Sequence, residues 1–120
     1  MKEEVKNWIE QSKRDLDTAK YNFEGGKYEF AVFLCQQSIE KALKALSIKK
    51  TGKFRKIHDI VLLGKELNLP ENLINYCKEV APAYTYTRYP DVTHVTNLKD
   101  ISKKFIKYAE ENLKWVEKQL

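Results

Sequence analysis

Long hydrophobic runs are missing from this chain, and so are the residue clusters that announce familiar chemistry. No stretch of the 120 residues approaches the ~18–20 consecutive apolar residues that cross a bilayer. The opening Met1-Lys2-Glu3-Glu4-Val5-Lys6 has no apolar run to serve as a signal peptide, so a cytoplasmic protein with no membrane contact is expected. Two cysteines, Cys35 and Cys77, make neither a zinc-ligand pair nor a disulfide framework, and buried free thiols are the better reading. A phosphate-cradling glycine loop, a Gly-x-Ser-x-Gly elbow, Cys-x-x-Cys and His-Glu-x-x-His are all absent. No metal or cofactor is therefore expected.

What is present fits one domain over residues 1–120, with one core and no room for a separate catalytic domain. Hydrophobic residues make up 42% and charged residues 32% of the chain, enough apolar content for a packed core and too much for intrinsic disorder. The formal net charge of +5 permits contact with nucleotides or nucleic acid, and equally suits a lysine-rich helical protein that needs only solubility. No internal repeat, low-complexity tract or linker interrupts the chain.

The chain is organised around residues 28–56. Tyr28, Ala31, Leu34/Cys35, Ser38/Ile39, Ala42 and Ala45/Leu46 recur at the three-and-four spacing of a helical stripe. Its alanines and serine admit a close neighbour, while Phe30, Phe33 and Leu34 widen the apolar surface, so a central helix covered on more than one side is expected. From Lys41 on, the polar positions turn basic through Lys44, Lys49, Lys50, Lys53, Arg55 and Lys56. Such a local excess attracts phosphate-bearing ligands.

Before it, residues 2–24 place Val5, Trp8/Ile9, Ser12, Leu16, Ala19 and Phe23 on one helical face, and Gly25-Gly26 supplies the turn into an αα-hairpin. After it, Gly52 stops the second helix, a third runs from about Ile57 to Leu67, and Pro70-Glu71 opens a fourth with Leu73/Ile74, Cys77 and Val80/Ala81 inward. The residues Ala83 to Tyr89 alternate like a short strand, yet no partner strand exists, so a helical turn or two after Pro82 is preferred. Asn97 or Thr96 is placed to cap a last helix over 98–120, whose inner face carries Ile101, Phe105, Tyr108/Ala109, Asn112, Trp115/Val116 and Leu120. The fold expected is all-α: an antiparallel up-and-down bundle of about five helices, three long and two shorter.

Chemistry is left to a few polar residues: Glu40/Lys41/Lys44, His58-Asp59, Arg88-Tyr89-Pro90-Asp91 and His94. His58, at the start of the third helix, suits phosphate binding or base chemistry, or else simply packs while Asp59 stabilises the helix start. Arg88 lies among Tyr84, Tyr86 and Tyr89, where aromatic faces stack on a base and a guanidinium grips phosphate; the plainer reading is tyrosines packed on the bundle and Arg88 paired with an acid. Arg88 and His94 together supply the pair that metal-free RNA cleavage needs, an imidazole to move the 2′-hydroxyl proton and a cation to stabilise charge on phosphate.

Three segments carry a resemblance: Phe30 through Leu46 with its Gln-x-x-x-Glu-Lys-x-x-Lys core, His58-Asp59-Ile60-x-x-Leu63, and Thr87-Arg88-Tyr89-Pro90-Asp91. In order and spacing they resemble the HEPN family (higher eukaryotes and prokaryotes nucleotide-binding) across nearly the whole chain. The resemblance implies a five-helix bundle similar to the substrate-binding helical domains of nucleotidyltransferases. It also implies a homodimer and a separate minimal nucleotidyltransferase partner, as in toxin–antitoxin pairs. Some members are metal-independent endoribonucleases with an Arg-x(4–6)-His motif shared across the dimer, a spacing that Arg88 and His94 match; here Tyr89 and Pro90 follow the arginine, where the nuclease motif has a polar residue and an unbroken helix. The reading adopted is a nucleotide or RNA-phosphate binder using Lys41, Lys44, His58, Arg88 and Tyr89. The alternatives are a ribonuclease toxin with Arg88 and His94 catalytic, and a plain helical adaptor.

Overall fold

The computed structural model describes residues 2–85 and 97–120. Helix α1 (Glu3–Glu24) buries Val5, Ile9, Ser12, Leu16 and Ala19, and its first turn carries Glu3 and Glu4, where acids favour the positive helix end. Gly26, at φ +77°, makes the reversal into α2 (Tyr28–Thr51). Gly52 closes α2 in the left-handed conformation, its N–H donating to the Ile48 carbonyl.

Helix α3 (Ile60–Glu66) starts three residues later than the apolar spacing predicts. The cause is Asp59: its carboxylate accepts the Leu62 N–H at 3.0 Å, so the chain is capped there and Ile57 and His58 stay outside the helix. Helix α4 (Glu71–Val80) follows Pro70, and a 3-10 segment (Ala81–Thr85) continues it; of the stretch 83–89, where a helical turn or two is preferred over a strand, residues 83–85 lie in this segment and 86–89 lie outside the described residues. Helix α5 (Leu98–Gln119) buries Phe105, Ile106, Ala109, Asn112, Leu113 and Val116. Asn97 does occupy its cap position, but with a left-handed backbone and no side-chain cap bond. Among the described residues there is no strand, and the expected all-α bundle of three long and two shorter helices is what the chain forms.

Helix α2 packs against α1, α3, α4, the 3-10 segment and α5, which is why it buries residues all around its circumference. Ile39, Leu43, Leu46 and Ile48 are its largest enclosed side chains, each contributing on the order of 1.5–3 kcal/mol by leaving water. The long helices α1 and α5 are tied at their surface by Lys13–Glu117 (3.0 Å) and Lys20–Glu110 (3.3 Å). Those two pairs run in opposite chain directions, as an antiparallel crossing requires. No helix among the described residues is long and apolar enough to cross a membrane.

Candidate functional site

Gln36, Glu40 and Lys44 are spaced by four and so share one face of α2. On an ordinary helix such a face meets water, but α2 is enclosed, and this face is roofed by Trp8 of α1 and by the chain leading into α3. A buried carboxylate is costly unless donors surround it. Glu40 has them: Lys44 Nζ lies 2.8 Å from Oε2 and Gln36 Nε2 lies 3.2 Å from Oε1. His58 Nδ1 completes the set, 3.0 Å from Oε1 and 3.2 Å from Oε2.

The surroundings hold each donor in place. Gln36 Nε2 also donates to the His58 carbonyl at 3.1 Å, while its own Oε1 accepts from Gln37 at 2.7 Å. The Lys44 ammonium sits 5.8 Å from the Trp8 ring and 5.6 Å from the Phe54 ring, two aromatics that meet edge-on at 5.0 Å. Its side chain is only 6% exposed, against 5% for Glu40 and 53% for His58. The result is a buried ion pair that, among the described residues, meets solvent through the half-exposed imidazole. One face of that imidazole stacks on Tyr84 of the 3-10 segment at 4.5 Å with a 20° tilt, and Tyr84 in turn meets Phe33 at 6.2 Å.

The expected cluster of converging cations is distributed differently. Lys44 and His58 are brought together, through Glu40. Lys41 is turned to α1, where its ammonium pairs with Asp15 at 2.7 Å, and Arg55 pairs with Glu66. Both Lys41 and Lys44 therefore already have carboxylate partners. Arg88, Tyr89 and His94 lie outside the described residues. The sequence alone singles out Glu40 without a role, gives Gln36 only as part of the Gln-x-x-x-Glu-Lys-x-x-Lys core and Trp8 only as an inward apolar residue, and passes over Phe54 as a site residue. The signal for Glu40 was its four-residue spacing from Gln36 and Lys44 on a helix otherwise expected to be enclosed.

Both thiols are free and buried, as expected. Burial pushes Cys77 up to about 12, and burial followed by the charge of Glu110 does the same to Cys35, so neither supplies a thiolate nucleophile near neutral pH. No group of three or more His, Cys, Asp or Glu side chains suited to a metal ion exists among the described residues.

A HEPN domain model matches residues 5–119. The chain belongs to the HEPN domain family. Solved HEPN structures share its shape: ST0689, an archaeal HEPN homologue, is 35% identical with a TM-score of 0.81, over 99% of this chain and 98% of that one. A HEPN domain protein (tm0613) from Thermotoga maritima is 25% identical with a TM-score of 0.78, over 94% of this chain and 96% of its own. TT1696 from Thermus thermophilus is 28% identical and superposes with a TM-score of 0.90, over 99% of this chain and 100% of that one. No curated protein matches the chain.

Proposed function

We propose that this HEPN-domain protein binds a nucleotide, or a nucleotide unit of RNA, at the outlet of the Glu40 cluster. The observation that supports this reading best is the half-exposed His58 imidazole, anchored on a buried carboxylate and stacked on Tyr84. An anchored ring with an aromatic beside it is a preorganised recognition element, because little freedom remains to be lost when a ligand arrives. In this reading His58 touches the ligand and Lys44 acts from behind, through Glu40. Arg88 and Tyr89, four and five positions beyond Tyr84 in the sequence, supply the phosphate and stacking contacts. Lys41, tied to Asp15, takes no part in this binding.

The protein acts as a homodimer, as HEPN domains commonly do, beside a separate minimal nucleotidyltransferase in a toxin–antitoxin-like pair. The test is titration of AMP, ATP and a short single-stranded RNA into the wild-type protein and the His58→Ala and Arg88→Ala variants. Affinity should fall at least tenfold in each variant. Binding that neither variant weakens, or no binding of any of the three, overturns the reading. RNA cleaved in the presence of EDTA and lost in both Arg88→Ala and His94→Ala would favour the ribonuclease instead. Light scattering and co-purification with a co-expressed nucleotidyltransferase check the assembly.

A further inference from the structure

We infer that Glu40 is a positioning residue that holds the neutral imidazole of His58 with its proton on Nδ1, so that Nε2 faces the ligand as a hydrogen-bond acceptor and reads a ribose hydroxyl rather than a phosphate oxygen. The inference rests on the reading that a nucleotide binds at His58.

The proton's place follows from the partners of Glu40. Lys44 has an ammonium that only donates. Gln36 has its oxygen occupied by Gln37 Nε2, so it turns its NH₂ toward Glu40. The carboxylate thus accepts from Lys44 and Gln36 alike. His58 Nδ1 lies 3.0 and 3.2 Å from its two oxygens, and a lone pair there would face two acceptors. Nδ1 must donate. A neutral imidazole carries one N–H, so its other nitrogen is left with the lone pair.

Nε2 makes no hydrogen bond to any described residue, on a side chain that is 53% exposed. With Tyr84 stacked on one ring face, the ligand meets Nε2 in the ring plane. A phosphate oxygen is itself an acceptor and finds no proton there, whereas a hydroxyl donates to it. Among the described residues, the charges facing the ring do not alter this: Glu40 and Lys44 of α2 cancel as a pair, and Tyr84 presents an aromatic face. Lys56 and Asp59, the charged residues nearest in sequence, are both exposed. The cluster therefore selects the sugar end of a ribonucleotide at His58 and leaves the phosphates to cationic side chains elsewhere.

Two measurements test this. Nitrogen shifts of the imidazoles at pH 8, with His94→Gln to assign the two histidines, should show neutral His58 protonated on Nδ1. In the Glu40→Met/Lys44→Met variant, which replaces the buried pair by apolar side chains of similar length, the proton should move to Nε2. A proton on Nε2 in the wild type overturns the inference, whatever binds. The second measurement compares AMP with 2′-deoxy-AMP and 3′-deoxy-AMP at pH 8. Removal of one hydroxyl should weaken binding about three- to tenfold, and that difference should vanish in His58→Ala. AMP binding that depends on His58 but ignores both hydroxyls overturns the inference and leaves the nucleotide reading standing. AMP binding indifferent to His58→Ala, or none, overturns both.

Discussion

Ser12 and Ser38 exchange hydrogen bonds across the α1–α2 crossing. Each hydroxyl donates to the other's backbone carbonyl, at 2.7 and 2.9 Å, and the two oxygens lie 3.1 Å apart. Only small side chains let two helix backbones come this close. Ser12→Ala should cost about 1 kcal/mol for the lost bond, and Ser12→Leu about 3 kcal/mol because it forces the helices apart. Urea unfolding followed by circular dichroism reads both, and equal midpoints for the two variants would contradict the close crossing.

The Glu40–Lys44 pair should be far costlier to break than to replace. Lys44→Ala leaves a carboxylate without its counter-charge and should destabilise the protein by about 3–5 kcal/mol, whereas Glu40→Met/Lys44→Met should stay within about 1 kcal/mol of the wild type. Equilibrium denaturation of the two variants side by side decides it.

Gly64 marks the α3–α4 contact. A Cβ there would meet the Ile74 Cδ1 methyl at 3.0 Å and the Leu69 Cδ2 methyl at 3.3 Å. Gly64→Val should therefore lower stability by about 1–3 kcal/mol. Trimming Ile74 to valine in the same chain should restore part of the loss, which thermal melting of the single and double variants would show.

The buried thiols set an alkaline limit. In the unfolded chain a thiol ionises near 9, while burial holds Cys35 and Cys77 up to about 12. Between those values the unfolded chain has shed protons that the folded one keeps. The stabilisation is thus whole below pH 9 and is lost as pH rises towards 12, at about 1.4 kcal/mol per pH unit per thiol. The Cys35→Ala/Cys77→Ala variant should show a flatter decline in urea midpoint from pH 9 to 10.5, and a thiol reagent at pH 8 should label the native wild-type protein only as fast as it opens.

The long helices were legible because their punctuation is local: Gly25-Gly26 and Gly52 end α1 and α2 wherever the rest of the chain goes. The start of α3 was not, since the apolar pattern runs back to Ile57 and only the Asp59 carboxylate decides where the backbone turns helical. The site was half legible. His58 and Lys44 could be picked out as polar residues near helix ends, but charge counting treats every lysine as an outward cation. That Lys41 turns to Asp15 and Lys44 to Glu40 depends on which side of α2 each neighbour occupies, and this is a property of the assembled bundle.

Because α2 is gripped on every side, Glu40 rides on a frame whose position is the average of all its supports. A loosened contact in the α1 crossing or against α5 arrives at the imidazole as a shift in aim, so variants far from His58 should sort by how they tilt that frame before they sort by how much they weaken the fold.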